Sequence, residues 1–131
     1  MRIAVSPAAP ETFALRREWR PGDTVTLDFD MRCRRIEGPR GVNRAGDGRT
    51  AVAGGPVVLT REERHDPNFD EPVDIQAASD GTIPARRIPP PPGSHIAFAI
   101  PVRTGGTIPM TDYASADCWA GSRIRTWQKS K

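Results

Sequence analysis

The sequence predicts an all-β protein, an antiparallel β-sandwich of about eight short strands, and three observations carry that prediction. Twelve glycines and 14 prolines fill about a fifth of the 131 positions, where an average chain gives the pair about 12%. Proline lacks an N–H and breaks helix interiors, while glycine serves the positive-φ positions of tight turns. Apolar and polar residues alternate with a period of two in several runs, the pattern of a half-buried strand. No stretch holds apolar residues at helical spacing over a convincing length.

The elements follow in order. Phe13, Leu15, Arg17 and Trp19 share one face of a strand over 12–19. Pro21-Gly22 then offers the fixed φ and the positive φ of a type II turn, and Val25, Leu27, Phe29 and Met31 alternate with polar residues after it. The two runs predict a hairpin. The strand should end near Ile36, before an Arg- and Gly-rich loop to Asp47. Residues 49–53 and 56–62 read as two short strands, or one bulged strand broken at Gly54-Gly55. Residues 64–81 have few apolar anchors and read as a surface excursion. Residues 83–88 form an edge strand, where Pro84 is tolerated, and Pro89 to Pro92 form an extended spacer. Ile96, Phe98, Ile100 and Val102 define a strand over 95–102, with final strands over 108–113 and 122–127. This is one domain over 1–131, with a first strand group at 11–63, a loop-rich insertion at 64–94 and a second group at 95–127.

Composition narrows the function classes. Hydrophobic residues at 37% permit a core, which argues against wholesale disorder. The net charge of +3 comes from 19 basic residues against 16 acidic ones, so nothing in the balance demands a phosphate-bearing partner and nucleic acid is disfavoured. No run approaches the ~20 apolar residues that cross a bilayer, so no membrane partner is expected. The apolar stretch after Met1 is shorter than a secretory core, which predicts no export and a cytoplasmic location by default. Cys33 and Cys118 supply at most one disulfide or half a tetrahedral zinc site. No cofactor and no metal are expected.

Candidate motifs are weak one by one. Gly46-Asp47-Gly48-Arg49-Thr50-Ala51 spells a dinucleotide fingerprint, but strand-like residues follow where a helix is required, so a turn is expected. Asp66, Asn68 and Asp70 have calcium-loop spacing, yet Glu71 and Ala77 stand where that loop needs Gly and a bidentate Glu. His65 and His95 lack local partners at ligand spacing. Carboxylates are abundant from Glu62 to Asp80, but adjacent Glu62 and Glu63 point to opposite faces of a strand. No serine or cysteine lies in a nucleophile motif, so no catalytic residue is assigned. Arg32, Arg34, Arg35 and Arg40 form a basic cluster, and Trp119, Arg123, Arg125, Trp127, Lys129 and Lys131 an aromatic-basic tail. Such a tail suits a solvated strand face, a base-stacking surface or a sugar-stacking one. The candidate carbohydrate-binding residues are Trp19, Trp119 and Trp127.

Three segments carry a family resemblance. Arg17-Glu18-Trp19-Arg20-Pro21-Gly22-Asp23-Thr24-Val25-Thr26-Leu27-Asp28-Phe29-Asp30-Met31 resembles the R-x-W-x-x-G-D-x-V-x-L-x-x-x-M strand pair of β-L-arabinofuranosidase-like glycoside hydrolases, family 127 and its relatives. In those proteins the pair lies in a β-sandwich after the catalytic barrel. Arg49-Thr50-Ala51-Val52-Ala53-Gly54-Gly55-Pro56-Val57-Val58-Leu59 is similar to the family's R-x-A-(V/L)-x-x-G-P-(L/V)-V strand, and Asp112-Tyr113-Ala114-Ser115-Ala116 with Trp119 to a near-C-terminal DYASAG-x-x-W segment. Asp117 stands where that segment has glycine. The resemblance implies a non-catalytic accessory β-sandwich packing on a catalytic α/α barrel, in cis or in trans, as a C-terminal fragment, a split product or a truncated relative. The family's cysteine nucleophile, its zinc site and its glutamate belong to that barrel, and none of their motifs occurs here. A stand-alone carbohydrate-binding module taking an oligosaccharide is the alternative function, and a weak nucleic-acid binder the third.

Overall fold

The computed structural model describes residues 2–3, 16–39, 41, 48–116 and 122–129. The chain divides into two compact units, Met1–Asp30 and Met31–Lys131. Among the described residues no helix is long and apolar enough to cross a membrane.

In the first unit, β1 (Arg2–Ile3) pairs in parallel with β2 (Thr26–Leu27). The predicted turn forms: Gly22 has φ 93°, and the Asp23 N–H donates to Arg20 O at 3.0 Å. Asp23 locks it from below, its Oδ2 accepting from the Arg20 N–H and from Arg17 Nη2, each at 2.9 Å. The predicted hairpin does not follow. Residues 16–20 are not strand, Phe13 and Leu15 lie outside the described residues, and β2 pairs with β1 instead. Alternation tells which face a strand offers, not which strand it joins. Here the face is unburied, so packing sets no register.

The second unit is all-β. Among the described residues its strands are β3 (Cys33–Glu37), β4 (Arg49–Gly54), β5 (Val57–Glu62), β6 (Thr82–Ile83), β7 (Arg86–Ile88), β8 (Ala97–Pro101), β9 (Thr107–Asp112), β10 (Ile124–Arg125) and β11 (Gln128–Lys129). They form one antiparallel sheet in the order β6-β3-β4-β5-β9-β8-β7, with β10 on β5 and β11 on β4. The ends of that order, β6 and β7, are separated in the chain by Pro84 and Ala85 alone. The predicted edge strand is thus broken at its proline, and its halves join opposite edges of the sheet. The sheet rolls up around one core, with Val52, Leu59, Ile100 and Met110 fully buried.

β4 and β5 are a hairpin closed by Gly55-Pro56, with Gly54 opposite Val57 and Gly55 at φ 59°. Glycine first in a two-residue loop matches the strand twist. Gly54 leaves room for the Phe98 ring, since a Cβ there would lie 3.0 Å from it and press the ring to shift.

The segment 64–81 is not a surface excursion. Its Phe69, Val73 and Ile75 are buried, and Val73 and Ile75 belong to the core. Its sparse anchors make no period, so burial there leaves no pattern in the sequence. Pro89 to Pro92 are extended only at first, since the Ser94 N–H closes a turn on Pro91 O at 3.0 Å.

Candidate functional site

The site is built where β4 and β5 part. The two strands pair only from Val52↔Leu59 to Gly54↔Val57 and then diverge. The C-terminal segment fills the fork: it enters along β5 with Ile124↔Glu62 and Arg125↔Arg61 and leaves along β4 with Gln128↔Thr50 and Lys129↔Arg49. Thr126 and Trp127 form the bend at the apex.

Buried polar groups hold the fork. Gln128 is fully buried, and its Nε2 donates to the carbonyls of Arg125 at 2.7 Å and Thr126 at 3.2 Å. Its Oε1 accepts from Arg61 Nη1 at 3.2 Å. Arg61, also fully buried, gives Nε to Asp66 Oδ2 at 2.6 Å, Nη2 to Asn68 O at 2.7 Å and Nη1 to Glu71 O at 3.2 Å. A buried cation is tolerable only when paired and hydrogen-bonded in this way. Guanidiniums take up two carboxylates of the calcium-like spacing: Asp66 Oδ2 accepts from Arg61, which also reaches the Asn68 backbone carbonyl, and Asp70 accepts from Arg123 at 2.7 and 2.8 Å. Among the described residues no three His, Cys, Asp or Glu side chains gather in a metal-holding group.

Outside the fork, Phe69 is stacked by three guanidiniums, Arg125 at 4.6 Å, Arg123 at 5.1 Å and Arg61 at 5.7 Å from its centroid. Arg123 also chelates Glu63 at 2.7 Å. Its hydrogen bonds hold the Glu63 and Asp70 carboxyls below the usual range, and Glu63 and Asp70 push Arg123 up.

Beside this network lies a cleft of about 190 Å³ lined by Arg49, Asp70, Pro72, Arg125, Trp127 and Lys129. Arg125 is partly spoken for, its Nη1 donating to Phe69 O at 2.7 Å and its Nη2 to Asp70 at 3.4 Å. Arg49 and Lys129 face each other as a cross-strand pair, and neither forms an ion pair among the described residues. Like charges placed directly opposite are destabilising. Trp127 is 39% exposed, so part of its ring faces solvent.

Of the three predicted tryptophans, Trp127 therefore lines the cleft. Trp19, in the first unit, is 52% exposed with the Arg17 guanidinium 5.2 Å from its ring. Trp119 and Cys118 lie outside the described residues. Cys33 is a buried free thiol whose pKa burial pushes up to about 11, unsuited to a nucleophile. Glu62 and Glu63 do point apart, Glu62 inward to Thr111 Oγ1 at 2.6 Å and Arg64 Nε at 2.8 Å, Glu63 outward to Arg123. The fingerprint letters run directly into strand β4 from Gly48, a turn residue with φ 71°.

One cluster escaped the sequence reading. Asp112 Oδ1 accepts the backbone N–H groups of His95 at 2.9 Å and Ile96 at 3.0 Å, and Ser115 Oγ lies 2.5 Å from His95 Nδ1. Burial pushes the Asp112 carboxyl up, but bonds from Ser115, Ile96 and His95 outweigh it and hold the group at about 2. Serine bonds to the carboxylate as well as to the imidazole, so the imidazole does not stand between carboxylate and hydroxyl as a catalytic triad requires. The cluster clasps the start of β8 to the end of β9. Only the resemblance to the DYASAG-x-x-W segment marks it in the sequence.

No protein-family model, curated protein or solved structure matches the chain.

Proposed function

We propose that this chain is a non-catalytic accessory β-domain of a β-L-arabinofuranosidase-like glycoside hydrolase, packing on a catalytic α/α barrel in cis or in trans. The observation that carries the reading is an apolar row left in solvent. At every second position, Val25 is 43%, Leu27 57% and Phe29 62% exposed. Large apolar side chains left in solvent together point to an interaction site, and this row lies within the segment that resembles the family's strand pair. The charged groups of the second unit support the non-catalytic part, because its buried carboxylates are committed to arginine, threonine or backbone donors. Titration calorimetry of the chain against a purified α/α barrel of this hydrolase class tests the reading. Association is expected, weakened by at least about tenfold in Leu27→Asp/Phe29→Asp, or about 1.4 kcal/mol. Unchanged affinity in that variant, or no association with the barrel, would overturn it.

A second reading, carbohydrate binding, is favoured by the partly exposed Trp127 ring in its cleft, since one apolar ring with polar neighbours suits a sugar face.

A further inference from the structure

We infer that the Trp127 cleft takes an acidic sugar residue, a uronate unit of an oligosaccharide, with its carboxylate between Arg49 and Lys129 and its ring against Trp127. The inference deepens the carbohydrate reading of this cleft and is independent of the barrel-docking row.

Arg61, Arg123 and Arg125 each meet an acceptor from the segment 66–71, so their positive charge is answered inside the fold. Among the described residues Arg49 and Lys129 form no ion pair within the fold, although Arg49 also borders a second cleft with Glu37 and Asp74. The register sets Arg49 and Lys129 opposite one another on neighbouring strands, an arrangement that costs stability unless an anion sits between them. Both line the cleft, and Trp127, two residues before Lys129, lines it with them. A bidentate guanidinium and an ammonium together match one carboxylate.

The cleft's other groups choose between anionic ligands. Pro72 and the Trp127 ring give an apolar wall, which suits the C–H face of a pyranose. Asp70 also lines the cleft, where its carboxylate oxygens suit sugar hydroxyls as hydrogen-bond donors. A nucleic-acid strand needs a basic groove that tracks several phosphates, and among the described residues this cleft presents Arg49 and Lys129 without an ion pair and one carboxylate, Asp70, beside them. The charge is thus matched to one carboxylate per site.

Titration calorimetry with three probes decides the matter: trigalacturonic acid, neutral galactotriose and a short oligothymidylate. Trigalacturonic acid is expected to bind at least about tenfold more tightly than galactotriose, with the difference shrinking as salt is raised. Arg49→Gln/Lys129→Gln should abolish that difference, and Trp127→Ala should remove binding of both sugars. Both variants alter exposed or half-buried side chains, and an unshifted thermal melt confirms their fold. Equal binding of the two sugars would overturn the acidic preference while leaving carbohydrate binding standing. Tighter binding of oligothymidylate would overturn the proposal in favour of nucleic acid, and no heat with any probe would overturn it together with the carbohydrate reading. None of these results bears on Leu27 and Phe29, so the barrel-docking reading fails or stands separately.

Discussion

Arg61 binds four acceptors from a position with no solvent contact, and its removal leaves the buried Asp66 carboxylate without its countercharge, held by the Asn68 N–H. Arg61→Met is expected to lower unfolding free energy by about 3 to 5 kcal/mol, read from urea denaturation, and Arg61→Met/Asp66→Asn to recover part of the loss. A cost of Arg61→Met within the noise of a surface substitution would contradict the network. Asp112 gives a pH test. Its carboxyl is held at about 2 in the folded state, below the ordinary value near 3.9, so it contributes stability that is present above pH ~4 and lost as pH falls toward about 2. Asp112→Asn should flatten thermal stability against pH across that window; a slope unchanged from wild type would remove the clasp from the account. Cys33, buried and raised to about 11, is expected to react with an aromatic disulfide reagent only on unfolding in a Cys118→Ser background. Fast reaction under native conditions would show the thiol to be exposed. None of these roles was readable beforehand. Arg61 and Gln128 meet across 67 positions of sequence, and no local pattern reports such a meeting.

At the scale of elements, what could be read lay within single segments. The strands around Val52, Leu59, Ile100 and Met110 emerged where expected as short apolar runs bounded by turn residues, although their burial does not alternate: Ala97 to Ile100 are buried in succession. The turn at Pro21-Gly22-Asp23 also formed, since proline, glycine and a carboxylate act within a few residues of one another. Its flanking strands did not pair as a hairpin, and the split of the 83–88 strand between two sheet edges was equally silent, because pairing is a property of two segments. The β4–β5 hairpin offers the sharpest test. A side chain at Gly54 meets Phe98 at 3.0 Å, so Gly54→Val is expected to cost about 1 to 3 kcal/mol by overpacking and to lower the melting temperature. A neutral substitution there would mean that the ring has room to yield.

At the largest scale, the second unit is a rolled antiparallel sheet that encloses one core, and residues 124–129 wedge the fork between β4 and β5. All-β character was legible in the proline and glycine content. The fork was not, because it exists only once residues 124–129 lie between two earlier strands. The aromatic-basic alternation of Arg123, Arg125, Trp127 and Lys129 did carry the candidate cleft in outline, leaving open which cations the fold would answer. The unburied row at Val25, Leu27 and Phe29 lies in a separate unit and is the basis of the proposed docking. Hydrogen–deuterium exchange of the full chain, alone and mixed with a purified α/α barrel of the β-L-arabinofuranosidase class, measures that docking most directly. Docking through this row predicts slowed exchange concentrated at residues 24–30 in the mixture; exchange there that is identical with and without the barrel would contradict it.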